Sequence, residues 1–220
     1  MKLVVRAGAL VIAAALALSG CSTDPLAAQY RDGGNQNYIA GDGTVLEIPV
    51  SNRDAPVEFS TTTDAGTTVS SQDYRGTVLV VNFWAAYCDP CRVEAPDLEK
   101  LSRAYDGKGV EFLGVNIADT ADTSLAFARK YNVTYPSALD ADSGSVRLAF
   151  AGKTAQSALP TTLVLDTEGR VAARILGQLQ SPSILDSIIK TVLAEKNSAQ
   201  KNTAQKNTAQ KNTAQQNPAQ

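Results

Sequence analysis

The chain has 220 residues, with 20 Lys and Arg against 22 Asp and Glu and a formal charge of -2. That length holds one ordinary domain with accessories, and the balanced charge argues against a nucleic-acid binder, which would carry a basic stripe. There is no His. His-based acid–base catalysis, Ser–His and Cys–His dyads and most zinc and copper sites are therefore excluded, and no cofactor is implied.

Three cysteines, at 21, 88 and 91, are too few for a disulfide-dense scaffold, so the fold must rest on its apolar core. The chain starts as an export signal: Lys2 and Arg6 are followed by uncharged, apolar residues 7–18, too short for a stable membrane span. The run ends in Leu18-Ser19-Gly20-Cys21, which resembles the lipobox of bacterial lipoproteins. The resemblance implies cleavage of residues 1–20 and a diacylglycerol thioether on Cys21. Such a lipid would anchor the protein to the cell membrane on its extracytoplasmic face, and Cys88 and Cys91 would remain as an even pair. Acyl chains contribute about 0.8 kcal/mol per buried methylene, so several would hold firmly. An ordinary signal peptide with a chance Cys is the plain alternative.

Residues 21–55 read as the lipidated N-terminus and a spacer. Asp32-Gly33-Gly34-Asn35 and Gly41-Asp42-Gly43 are turn signals, and large apolar residues are few. A single domain is expected over 56–195. Val57–Ser60 and Thr67–Val69 flank Asp64-Ala65-Gly66 as an N-terminal hairpin. Thr77–Phe83 is an unbroken β-branched and apolar run, as in a strand buried on both faces. A helix is expected from Cys88 to Tyr105, kinked at Pro96. Then come a strand over Val110–Asn116, a helix over Thr120–Tyr131 and a short helix over Ser145–Phe150. Strands over Thr161–Asp166 and Val171–Leu176 and a closing helix over Ser181–Ala194 complete the domain. Strands alternating with helices predict an α/β fold, a central sheet covered on both faces.

From Lys196 a five-residue period of the Lys-Asn-Thr-Ala-Gln type runs to Gln220 with no large apolar side chain, so residues 196–220 are expected to be disordered. Lys2 and Arg6 lie in the leader and four lysines in the tail. Residues 21–195 thus hold all 22 acids but 14 bases, a formal -8 against +4 in the tail.

The informative segment is Cys88-Asp89-Pro90-Cys91, between a buried strand and a helix start. Cysteines three apart on one helical turn are close enough to form a disulfide. The first lies near free N–H groups and the positive end of the helix dipole, which favour a thiolate. Cys88 is thus expected as the exposed nucleophile and Cys91 as the resolving thiol, working through a mixed disulfide. A bracing disulfide would close too short a loop to gain much chain entropy. Zinc would need about four ligands, which are lacking.

The stretch Asn82-Phe83-Trp84-Ala85-Ala86-Tyr87-Cys88-Asp89-Pro90-Cys91-Arg92-Val93-Glu94-Ala95-Pro96 resembles the active site of the TlpA/ResA-type thiol:disulfide oxidoreductases. These are members of the thioredoxin superfamily, in its AhpC/TSA-like redoxin branch. The likeness extends over about 56–194 and includes a central insertion and Ala158-Leu159-Pro160-Thr161-Thr162, which matches the family's cis-proline loop. It implies a thioredoxin-like mixed sheet flanked by helices, Cys88 and Cys91 as a redox-active disulfide, and Pro160 as the cis-proline. Glu94 matches the acidic residue three positions after the second Cys.

Pro160 lacks an N–H, which leaves the backbone at Leu159 and Thr161 free to pair with a peptide. Glu94 is either a proton acceptor near the thiols or a solvated helix residue. Asp89 opposes a thiolate and so favours a more reducing couple. Trp84 and Tyr87 either shield the disulfide, contact substrate or simply pack. Asn82 stands where ordinary thioredoxins carry a buried Asp, which leaves Glu94 as the candidate for proton relay.

The resemblance implies a protein-disulfide reductase. Its substrates would be disulfide-containing proteins such as the oxidised haem-binding motif of apocytochrome c, and its electrons would come from a membrane thiol carrier of the DsbD/CcdA type. Two other readings are a peroxide reductase, for which Ala85 stands where a Thr is needed, and a non-enzymatic lipoprotein braced by its disulfide.

Overall fold

The computed structural model describes residues 44–153 and 158–195. The leader, Cys21, most of the spacer and the repeat tail lie outside the described residues. In chain order the elements are β1 (Val45–Glu47), β2 (Ser60–Thr62), β3 (Thr68–Ser70), β4 (Val78–Trp84), α1 (Asp89–Tyr105), β5 (Val110–Asn116) and α2 (Ala121–Tyr131). There follow β6 (Ser137–Leu139), α3 (Ser145–Ala149), β7 (Thr161–Leu165), β8 (Val171–Leu176) and α4 (residues 182–195).

Six strands form one mixed sheet in the order β1-β8-β7-β4-β5-β6, and β2 and β3 form a separate hairpin. β4 pairs parallel with β5 and antiparallel with β7. Parallel neighbours cannot be joined by a tight turn, and α1 and α2 supply the crossovers from β4 to β5 and from β5 to β6. Every residue of β4 is buried, as its uninterrupted apolar run demands. Val78 and Val80 pack with Leu98, Leu101 and Tyr105 of α1 and Ile188 and Ile189 of α4. Leu79, Val81 and Phe83, on the opposite face, pack with Val57, Phe59, Val146 and Phe150. The sheet is therefore covered on both sides, as the alternation of elements predicts.

Several elements differ from the sequence reading, which had no strand at Ser137–Leu139. The first arm of the hairpin starts at Ser60, not Val57. Val57 and Phe59 leave the hairpin for the core, where Phe59 lies 6.0 Å from the Phe150 ring. The helix through Pro96 runs unbroken from Asp89 to Tyr105. The end of the expected spacer belongs to the fold: β1 pairs with β8, Val45 facing Ile175.

Behind β1, Arg53 acts as a clasp. Its side chain is 3% exposed and bonds Glu195 through both terminal nitrogens, at 2.7 and 2.9 Å, and Asp166 at 3.0 Å. Its Nε donates to the Ile48 carbonyl. One guanidinium thus joins the chain entering the domain, the β7–β8 turn and the end of α4. Removing one partner of a buried pair costs about 3–5 kcal/mol, because the remaining charges stay desolvated. Arg170 still serves Asp166 at 2.8 Å, so Arg53→Ala should lower the unfolding free energy by about 3 kcal/mol in urea titration, the low end of that range. A change near zero would reduce residues 48–53 to a surface strand-end.

Candidate redox site

The site forms where β4 ends. Trp84 is its last residue, and four residues later Cys88 caps α1, its Sγ accepting from the Cys91 N–H at 3.2 Å. Pro90 sits in the first turn, where a missing N–H leaves no intrahelical bond unmade. Cys88 and Cys91 are joined in a disulfide with their Cα atoms 5.3 Å apart. The expectation of an exposed Cys88 needs correction. Its residue exposure is 6%, against 2% for Cys91; Cys88 is only the more accessible of two buried sulfurs. The first turn of α1 and the apolar cluster of Trp84, Ala85, Ala95 and Phe127 close around them.

The short loop between strand and helix is pinned from two sides. The Ala86 N–H donates to Asp119 Oδ2 at 2.6 Å, and the Ala86 carbonyl accepts from Arg92 Nη1 at 2.7 Å. Arg92 also pairs with Asp89. The negative charge that the sequence places between the cysteines is thus offset by a guanidinium one turn on.

Glu94 is not a solvated helix residue. It is 2% exposed. Its Oε1 accepts from Asn82 Nδ2 at 2.8 Å and its Oε2 from the Leu179 N–H at 2.8 Å. Asn82 Nδ2 donates also to Thr162 Oγ1 at 3.0 Å. Burial pushes the Glu94 carboxyl up to about 7, against the pull of these two donors. The burial was readable: Cys91, Glu94, Ala95, Leu98, Leu101 and Tyr105 form the stripe of α1 that faces the core.

Trp84 is 5% exposed, lies 4.2 Å from the Phe127 ring, and donates its indole N–H to Ser137 Oγ at 3.2 Å. Gly114 makes room for this contact, since a Cβ there would lie 2.8 Å from the indole nitrogen and 2.3 Å from Ser137 Oγ. Trp84 is thus a wall beside the disulfide, packed on Phe127 and tied to Ser137, with little exposed surface. The aromatic side chain of this segment that reaches solvent is Tyr87, 67% exposed, and Val93 is 61% exposed nearby in sequence. Behind Cys91 a cavity of about 10 Å³, lined by Asn82, Trp84, Phe127, Tyr135 and Ser137 among others, has space for a single water at most.

The Leu159–Pro160 peptide bond is cis. Pro160 is buried and leads into β7, whose first residue, Thr161, pairs with Phe83. Leu159 packs against the apolar cluster that holds both cysteines. No hydrogen bond among the described residues uses the Leu159 main chain. The sequence reading missed Asp119, Asn116 and the acceptor role of Ser137; these reach the site from β5, β6 and the loop between β5 and α2, with no local signal.

This geometry has parallels. The sequence profile of the AhpC/TSA family matches residues 52–174. Thiol-disulfide oxidoreductase ResA of Geobacillus thermodenitrificans is 32% identical over 112 residues, which cover 51% of this chain and 62% of that protein. The chain thus spans about three fifths of that relative's length. Among solved structures, a secreted thiol-disulfide isomerase from Corynebacterium glutamicum superposes with a TM-score of 0.62 at 28% identity, covering 73% of this chain and 99% of the other. A DsbF homologue from Corynebacterium diphtheriae gives a TM-score of 0.60 at 26% identity, covering 71% and 98%. The mixed sheet flanked by helices is the thioredoxin-like fold of these neighbours, and with the profile spanning over half of its residues the chain belongs to the AhpC/TSA family.

Proposed function

We propose that this protein is an extracytoplasmic thiol:disulfide oxidoreductase that reduces protein disulfides through Cys88 and Cys91. The observation that carries the reading is the disulfide at the start of α1, with Cys88 as N-cap and the more accessible sulfur. In the reduced protein the Cys88 thiolate attacks one sulfur of a substrate disulfide. A mixed disulfide forms and the other substrate sulfur leaves as a thiolate, which takes up a proton. Cys91 then loses its proton and attacks Cys88, closing the Cys88–Cys91 disulfide and expelling the second substrate thiol. The substrate gains two electrons and two protons, and a dithiol donor restores the enzyme.

Glu94, one helical turn from Cys91, is the group we assign to take the Cys91 proton. Its raised pKa suits transfer near neutral pH. The main chain of Leu159, which makes no hydrogen bond among the described residues, would pair with the substrate backbone, with Pro160 fixing the turn. The chemistry favours a reductant: Glu94, when ionised, opposes a thiolate on the pair, and less stabilised thiolates make a more reducing couple; Asp89 adds little, being exposed and paired with Arg92. The likeness to ResA extends the proposal to apocytochrome c as substrate and a DsbD/CcdA-type donor. The lipobox extends it to a lipid anchor on Cys21. Among the described residues no helix is long and apolar enough to cross a membrane.

Two measurements test this. Offered an oxidised Cys-x-x-Cys-His peptide, the reduced protein should exchange rapidly. Cys88→Ser should fall by at least about a hundredfold and Cys91→Ser should stay linked to the peptide. A Cys88→Ser variant as fast as the wild type would overturn the nucleophile assignment.

The second measurement concerns Glu94. Its carboxyl is raised in the fold from 4.5 to about 7, so the folded state holds the proton more tightly than the unfolded chain. Its contribution to stability is full below about pH 4.5 and is lost as pH rises through about 7. At about 1.4 kcal/mol per pKa unit, the loss reaches roughly 3 kcal/mol. Urea unfolding of the oxidised protein between about pH 5 and about pH 8 should show this decline, and Glu94→Gln should flatten it. A flat wild-type profile would return Glu94 to an ordinary carboxylate and remove it as the proton carrier.

A further inference from the structure

The loop that presents Cys88 is held by Asp119, 33 positions beyond Ala86. Asp119 Oδ2 accepts from the Ala86 N–H at 2.6 Å and from Asn116 Nδ2 at 2.9 Å. Asn116 is the last residue of β5, is fully buried, and lies opposite Trp84 in the sheet. Its own Oδ1 accepts from the N–H groups of Ala118 and Asp119, at 3.1 and 2.7 Å. The Asp119 carboxylate is thus set in place by its own turn before it meets Ala86. Ala86 is two residues before the nucleophile, and its carbonyl is fixed separately by Arg92. The Cys88 N–H closes the turn onto the Ala85 carbonyl at 3.1 Å.

We propose that Asp119 is a positioning residue for thiol–disulfide exchange: its carboxylate, oriented by Asn116, fixes the Ala86 amide and thereby the line along which Cys88 Sγ meets a substrate sulfur. This rests on the exchange reading of Cys88 given above. Displacement of the sulfur transfer requires three sulfurs in line, and small misplacements of a reacting atom are costly in rate. Asp119 touches neither sulfur nor substrate and acts through the loop.

Position and charge make opposite predictions here, which is what makes the role testable. A carboxylate near a thiol opposes the thiolate, so removing its charge alone would speed attack at neutral pH. Removing the acceptor loosens the loop and slows attack. The test uses the full chain, reduced, with oxidised glutathione as probe, at a temperature where circular dichroism shows every variant folded. Asp119→Ala should slow exchange by about tenfold. Asp119→Asn, whose amide oxygen still accepts from Ala86 and Asn116, should keep most of the wild-type rate. Asp122→Asn, which removes the same charge from an exposed position on α2, should match the wild type.

An Asp119→Ala rate equal to or above that of the wild type overturns the proposal. So does an Asp119→Asn variant as slow as the alanine, which would show that an acceptor for the Ala86 N–H at this position does not set the rate. Hydrogen exchange at the Ala86 amide gives a test on the wild type that does not depend on the alanine variant folding. Protection of at least about a hundredfold is expected, and exchange at the rate of a free amide overturns the assignment. Cys88→Ser in the same assay separates the two ideas, since its full activity would sink the exchange reading whatever Asp119 does.

Discussion

A strand buried on both faces has to end somewhere, and its last polar groups must find partners. β4 ends at Trp84, and α1 begins within five residues. In that gap the Trp84 carbonyl accepts from Ile117, the Ala85 carbonyl from Cys88, and the Ala86 carbonyl from Arg92. The Ala86 N–H goes to Asp119, the Cys91 N–H to the Cys88 sulfur, and the Cys88 carbonyl accepts from the Arg92 N–H. These bonds hold the turn on both sides of the exposed Tyr87. The cysteines sit where that conformation puts the first free N–H groups of a helix, so the site's chemistry follows from how the sheet is terminated.

The second constraint is the carboxyl beneath the pair. A carboxylate in an apolar interior is costly unless hydrogen bonds satisfy it. Glu94 receives two, from Asn82 and Leu179, yet burial still holds its proton to about pH 7. Both partners come from elements other than α1: Asn82 from the centre of β4, Leu179 from the segment between β8 and α4. A change in the charge of Glu94 is therefore felt at both. An amide in its place would turn a donor toward one of these two donors and leave it unpaired, a cost of about 1–3 kcal/mol. The site thus requires an acid at this position on structural grounds as well as the proposed chemical ones.

The parts of this arrangement that the sequence revealed are those with local signals. β4 shows as a continuous apolar run, β5 as a largely apolar one around Phe112 and Leu113, and α4 as Ile184, Leu185, Ile188, Ile189 and Val192 at helical spacing. The Cys88–Cys91 spacing stands out because strand, loop and helix cap are contiguous. β1 and β6 have three residues each, and Ser137-Ala138-Leu139 has no β-branched side chain; neither strand is definable without the neighbour it pairs with. Glu94 could be placed on the buried stripe of α1, but its charge argued for solvent until Asn82 and Leu179 were seen to meet it. Asp119 and Arg53 carry no signal at all, because their meaning lies in partners far along the chain.

Charge around the pair is arranged in layers. At the surface, Asp89 is 82% exposed and paired with Arg92, so its effect on Cys88 is both screened by solvent and offset by its partner. Below, Glu94 is met among the described residues by the dipoles of Asn82 and the Leu179 N–H, and sits in a medium that screens little. On the proposed reading the deeper acid therefore governs the resolving thiol more than the surface acid governs the attacking one. With Glu94 protonated, Cys91 meets a neutral neighbour; with Glu94 ionised, a Cys91 thiolate would meet a second buried anion. On the proposed reading, the proton that Cys91 gives up when it attacks passes to a carboxyl one helical turn away, and that carboxyl is held by the Leu179 N–H, which links exchange at the helix cap to the segment before α4.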